Sequence, residues 1–196
     1  RVPTEALQAL EFSRYYAAYA PKDSLVVGIS NSGRVIRTVE AVVRARARGM
    51  TTLAGTSALD SRIAQEAELA VDLGYAERRF APGTSSYIAS LLLEYCIARH
   101  VAVASGRMTS AQVKAKLDEI AAEADGMQKT IEASKPILEK LGEQAKLSDQ
   151  LIFIGGGPNY GTAFFSMAKV FEAARVHAAG QELEEWAHEQ YFVTGP

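Results

Sequence analysis

Cysteine is almost missing from this chain: Cys96 stands alone among 196 residues. No disulfide can close within it, which suits a reducing compartment such as the cytoplasm. Charge of one sign is equally scarce. Lys and Arg number 21 against 23 Asp and Glu, a formal net charge of -2, which leaves no electrostatic case for nucleic acid as a partner. No apolar run approaches the roughly 20 residues needed to cross a bilayer, so no membrane segment is expected. No secretory leader is visible either, although the chain opens on Arg1 and not on Met, so nothing follows about what precedes it.

Apolar residues are plentiful, at 48% of the chain, enough for one or two cores at this length. Their periodicity alternates. Helical spacing from Pro3 to Ala20 precedes an apolar strand at 24–29; helix 34–48 precedes strand 51–55; a short helix near Ser61–Glu68 precedes strand Leu69–Leu73; a helix follows from about Ser85 to Ala104. This order predicts a doubly wound α/β fold, a parallel sheet in three α-β-α layers. Beyond Thr109 the texture becomes charged and alanine-rich as far as Lys146. Val113, Leu117, Ile120, Met127, Ile131 and Leu138 recur there at helical spacing. One or two linking helices are expected, packed on the protein's own domain, with a kink or break at Pro136. A strand restarts at Leu151-Ile152-Phe153-Ile154, followed by Gly155-Gly156-Gly157-Pro158-Asn159-Tyr160-Gly161 and a long helix.

Chemistry concentrates in Leu25-Val26-Val27-Gly28-Ile29-Ser30-Asn31-Ser32-Gly33. A buried strand here delivers two hydroxyls and a glycine to the start of a helix. Unpaired N–H groups and the positive end of the helix dipole favour an anion at such a turn, and serine hydroxyls rotate to meet phosphate oxygens. Helix end, Gly49 and a second strand complete a β-α-β unit. The plainer alternative is that the serines only cap the helix.

A hydrophobic strand, Ser-x-Ser-Gly, a helix, a glycine and a strand ending near Thr56 resemble the SIS (sugar isomerase) domain family, which binds phosphosugars. Ser30, Ser32, Gly33 and Thr56 match its pattern. Arg34 and Val35 stand where Glu-Thr is usual, so the anion is left to the two serines and the backbone of the turn, Asn31 included. Farther on, the Gly155–Tyr160 loop, Lys169-Val170-Phe171-Glu172, His177-Ala178 and Glu182-Leu183-Glu184-Glu185-Trp186-Ala187-His188 follow in order the isomerase half of the glucosamine-fructose-6-phosphate synthases in that family. The resemblance implies two tandem SIS domains joined by helices, both incomplete in this sequence: 1–107 the first, without its amino-terminal strand, 108–148 the linking helices, and 149–196 the opening half of the second.

By that resemblance Glu172 takes the position of the carboxylate that moves a proton between C1 and C2. His188 takes that of the histidine that opens the sugar ring, lent by the neighbouring subunit, so a homodimer with a shared active site is implied. The final Gly-Pro of the pattern is Glu189-Gln190 here. Thr84, Ser85 and Ser86 resemble the Ser/Thr-rich turn lining the sugar site, with a capped helix start as the alternative, and Gly156 falls in the substrate loop of the second domain.

These residue types suit aldose–ketose chemistry. A partly desolvated glutamate can be tuned towards neutral pKa to take the proton next to a carbonyl, and histidine exchanges protons near physiological pH. The plain alternatives are a solvated helical glutamate and an aromatic surface histidine beside Trp186. A dinucleotide fingerprint would need glycine at Tyr160, and no acidic residue is expected to end a following strand, so no nicotinamide cofactor and no metal is expected. Two functions compete: an enzyme acting on a sugar phosphate (isomerase, amino-sugar isomerase-deaminase or deglycase), and a non-catalytic phosphosugar sensor. A nucleotide-binding α/β protein is disfavoured by the broken glycine pattern.

Overall fold

The computed structural model describes residues 2–75, 82–145 and 150–193. They form two compact units, Arg1–Arg79 with Thr84–Ser105, and Phe80–Gly83 with Gly106–Pro196.

In the first unit the helix expected from Pro3 to Ala20 is cut to its middle. One turn, α1 (Ala9–Glu11), opens directly into a π-helical turn at Phe12–Tyr16. Core spacing explains the wider winding. The Ala17 N–H donates to the Phe12 carbonyl five residues back, at 2.8 Å, which turns Phe12, Ala17 and Ala20 together onto Ala41, Ala45 and Met50.

Strands β1 (Leu25–Ile29), β2 (Thr51–Thr56) and β3 (Leu69–Asp72) run parallel in the order β1-β2-β3, with Val27, Leu53 and Leu69 in one row. The middle strand is buried from Thr52 to Thr56, as a strand covered on both faces must be. On one face, α2 (Ile36–Ala47) and α3 (Arg62–Glu66) press Val42 and Ile63 onto Ala54. Their approach depends on Gly28, where a Cβ would sit 2.6 Å from Val42 Cγ2. On the opposite face α4 (Thr84–Ala104) places Leu93 so near Gly55 that a Cβ there would sit 2.4 Å from Leu93 Cδ2. The expected three layers are therefore present. Contrary to the expectation that nothing would reach membrane-span length, the 21 residues of α4 do so by length and composition; Glu94 and Arg99 interrupt the apolar run, and Ala89 and Leu93 are buried.

In the second unit α5 (Ser110–Ala145) is one continuous helix of 36 residues that carries Pro136 inside it. The expected break is missing because the surface there is exposed, so water can take the Glu132 carbonyl that the proline ring leaves without a donor. None of the described side chains of α5 is buried, so its apolar stripe does not pack as expected. Strand β4 (Leu151–Gly155) pairs in parallel with β5 (Ala178–Glu182), and α6 (Pro158–Ala173) covers both. After β5 come α7 (Leu183–Glu189) and a short 3-10 turn at Gln190–Val193. A strand thus does end in an acidic residue, Glu182, against expectation. Its carboxylate is already used, accepting the Glu184 and Glu185 N–H groups at 2.7 and 3.0 Å to cap α7.

Candidate functional site

The turn after β1 is tied down almost entirely by its backbone and by the end of β2. Ser30 N–H continues the ladder to the Gly55 carbonyl at 3.0 Å, and Gly33 N–H donates back to the Ser30 carbonyl at 2.9 Å. Closing that turn puts Gly33 at φ +64, a left-handed conformation that glycine adopts without a Cβ penalty. Asn31 is clamped from two sides. Its backbone carbonyl accepts from Ser57 N–H and Thr56 Oγ1, both at 3.0 Å, and its side-chain Oδ1 accepts from Ser57 Oγ at 2.7 Å and from the Tyr75 hydroxyl. Asn31, expected to meet the substrate, thus commits both oxygens to holding the turn in shape.

The serines do not act as helix caps. α2 begins only at Ile36, its N-cap is Val35, and no side chain caps it. Ser32 is exposed and its Oγ accepts the Arg34 N–H at 3.4 Å. Ser30 is 5% exposed, and its Oγ is buried without a hydrogen-bond partner. A second such hydroxyl, unforeseen in the sequence, belongs to Ser61, 7% exposed. Ser61 stands at the N-cap of α3 but does not cap it. It packs against the turn, so that a Cβ on Gly33 would lie 1.9 Å from its Oγ. From sequence it reads as an ordinary cap after Asp60; only the packing against Gly33 shows otherwise. A buried hydroxyl without a partner costs about 1–3 kcal/mol. Two of them stand around one turn, beside a helix end that no side chain caps, and each lacks the partner that a buried hydroxyl normally has.

Thr84, Ser85 and Ser86 form the first turn of α4; Thr84 and Ser85 are exposed, and the Ser86 carbonyl accepts Ser90 Oγ at 2.8 Å.

In the second unit Gly155 ends β4, and Gly157, at φ +55, is the N-cap of α6 with Pro158 in its first turn. Gly156 lies beside the start of α7, where a Cβ on it would meet Leu183 Cβ at 3.7 Å. Glu172 lies near the end of α6 with its side chain 48% exposed. Lys169, one turn earlier, forms an ion pair with it, and Gly83 N–H donates to its Oε2 at 3.3 Å. The Lys169 hydrogen bond holds the Glu172 carboxyl below its ordinary 4.5, with partial desolvation opposing and the Gly83 bond assisting. A glutamate tuned upward is therefore not what the structure contains; this one is a carboxylate at neutral pH.

His188 lies exposed in the last turn of α7. His177 is exposed and faces the Phe171 ring at 6.1 Å. Among the described residues no group of three or more His, Cys, Asp or Glu is placed to hold a metal.

Comparison with known proteins identifies the family and the fold. The SIS domain family matches residues 1–98, half of the chain. The isomerizing glutamine–fructose-6-phosphate aminotransferase of Clostridium tetani is 26% identical over 188 residues, covering 96% of this chain but 31% of the relative, so the chain spans about a third of that protein's length. Among solved structures, glucosamine-6-phosphate deaminase from Thermotoga maritima superposes with a TM-score of 0.73 at 18% identity, over 94% of this chain and 54% of the other. The C-terminal domain of glucosamine-fructose-6-phosphate aminotransferase from Francisella tularensis gives 0.71 at 19%, over 94% and 57%. With its parallel α/β sheet and its Ser30–Gly33 turn, the chain belongs to the SIS domain family.

Proposed function

We propose that the protein is a phosphosugar enzyme of the isomerase type, acting on an aldose, ketose or amino-sugar phosphate as an isomerase, deaminase or deglycase. The observation that carries the reading is the turn after β1, where Ser30 Oγ is buried with no partner beside the uncapped start of α2. In this reading the phosphate accepts from Ser30, Ser32 and the backbone N–H groups of the turn. Thr84, Ser85, Ser86 and Gly156 line the sugar. Glu172 takes a proton from the carbon next to the carbonyl and returns it to the neighbouring carbon, and His188 passes the proton that opens the ring. The residues fall into tandem SIS domains, 1–107 and 149–196 with 108–148 as linking helices, and the active site is shared in a homodimer. The single cysteine and a phosphorylated substrate favour the cytoplasm.

One observation favours a second reading, a non-catalytic phosphosugar sensor: the ion pair with Lys169 lowers the basicity of Glu172. Proton exchange separates the two. With a panel of sugar phosphates in heavy water, the enzyme washes deuterium into the carbon next to the carbonyl. Glu172→Gln keeps its shape but cannot take a proton, so it retains ligand and loses exchange by about 10²–10⁴-fold. Exchange at the wild-type rate in the variant refutes the role of Glu172; binding without exchange in the wild type supports the sensor.

A further inference from the structure

Next to the Ser30–Gly33 turn, which Arg34 directly follows, residues of α2 line a pocket of about 490 Å³, within the range of small-molecule sites. Arg14, Arg34, Arg37 and Arg62 line it, and Glu40 is the acidic residue among them. That carboxylate is divided. Its Oε1 meets Arg14 and Arg44, each at 2.9 Å, and its Oε2 meets Arg37 at 2.7 Å. The Arg37 hydrogen bond holds the Glu40 carboxyl below 4.5, so one negative charge serves three guanidiniums. Arg62 is 73% exposed and reaches Glu66 only at 3.7 Å. Arg34 is exposed and forms no ion pair among the described residues. Positive charge is thus left over, in a chain whose formal net charge is -2. The walls between the arginines are apolar: Ile36, 75% exposed, with Val39 and Val43 farther along α2.

We propose that this pocket is a second anion site, distinct from the Ser30–Gly33 turn, for a small molecule that joins several negative charges to an apolar body, the class of the nucleoside di- and triphosphates. Guanidinium forks pair with phosphate oxygens two at a time and stack on flat rings, and Ile36 and Val43 give a ring an apolar wall. A monoanion leaves most of the excess charge unmatched. A nucleic acid requires a basic track along its backbone, whereas these arginines gather around one depression. Arg34 is decisive, since it puts a cation without an acidic partner among the described residues at the edge of the pocket.

Calorimetric titration of the whole chain with ADP, adenosine, inorganic tripolyphosphate and a short single-stranded RNA tests this. ADP is expected to bind at least about tenfold more tightly than adenosine, and tripolyphosphate to compete with it. Arg34→Ala/Arg62→Ala weakens ADP by about tenfold or more. Arg34→Lys/Arg62→Lys, which keeps charge but not the fork, loses only part of that. Ser30→Ala/Ser32→Ala leaves ADP affinity within about twofold while lowering that of sugar phosphates. Both arginines are exposed, and circular dichroism of the variants checks the fold. Wild-type protein that ignores ADP at millimolar concentration overturns the proposal. So does ADP binding that follows the serines and not the arginines, which means a single site, or RNA binding that exceeds ADP binding.

Discussion

Replacing Gly33 by alanine separates the two physical reasons for a glycine in the turn after β1. The first is conformational: at φ +64 a residue with a Cβ pays about 1–2 kcal/mol. The second is contact. The new Cβ would stand 1.9 Å from Ser61 Oγ, 2.3 Å from Ser61 Cβ and 3.0 Å from Thr56 Oγ1, so the turn or the start of α3 must move. Overpacking of this kind costs about 1–3 kcal/mol, and the two together come to about 2–5 kcal/mol. Ser61→Gly removes both of the closest atoms, and because Ser61 makes no capping bond it costs only a few tenths of a kcal/mol by itself. In the double variant Gly33→Ala therefore retains mainly the conformational part, and the two substitutions couple by about 1–3 kcal/mol. The single tryptophan, Trp186, belongs to the second unit, so its fluorescence is the wrong probe. Native-state hydrogen exchange of the β1 and β2 amides reads the first unit directly. Equal costs of Gly33→Ala in the presence and absence of Ser61 would refute the contact, and a cost below about 0.5 kcal/mol refutes both parts.

Gly155→Ala brings a Cβ to 2.2 Å from the Asn159 carbonyl oxygen, which is backbone and cannot rotate away, so the second unit loses about 3 kcal/mol or more, whereas Gly156→Ala, with no neighbour inside 3.7 Å, costs under about 1 kcal/mol; urea melts followed by Trp186 fluorescence rank the two, and the opposite order contradicts the loop geometry. Ser30→Ala/Ser32→Ala weakens sugar-phosphate binding by about 3–6 kcal/mol, two hydrogen bonds to a charged group being lost, and leaves the melting temperature unchanged or higher because an orphaned hydroxyl disappears; unaltered affinity in a titration removes the phosphate role. Glu40 and Glu172 both have carboxyl pKa values lowered from 4.5 by their arginine and lysine partners, so their stabilising effect is complete above that value and is lost as pH falls below it through the folded-state values. Glu40→Gln/Glu172→Gln accordingly flattens the decline of melting temperature in acid, and an unchanged acid slope counts against both pairings.

Much of the sheet is legible in sequence because its strands stand as short apolar or β-branched runs between stretches of helical period, as Leu25–Ile29 and Thr51–Thr56 do. The wide turn at Phe12–Tyr16 is not legible. Its residues face the core at a spacing of five, from Phe12 to Ala17, which fits neither the helical nor the strand period, and only the position of Met50 and Ala45 selects it. The apolar stripe of α5 shows the opposite limit: period identifies a face but not whether anything covers it.

At the candidate site the same division holds between what a motif names and what surroundings decide. Ser30, Ser32 and Gly33 stand out as a pattern, yet the hydroxyl of Ser61 gains its meaning from a contact 28 positions away along the chain, which no local pattern records. Glu172 differs, because the residue that sets its charge is part of its own motif. In Lys169-Val170-Phe171-Glu172 the cation and the carboxylate are three apart, and on any helix that spacing places them side by side. In the proposed role, proton abstraction by Glu172 has to work against Lys169 unless the lysine moves. A substrate phosphate or enolate oxygen that draws Lys169 away would free the carboxylate and raise its pKa when the ligand binds. Lys169→Met tests this coupling: it raises the Glu172 pKa in the free protein and so moves the acid-limb midpoint of proton exchange upward, and a midpoint that does not move shows that Lys169 has already left the carboxylate in the complex.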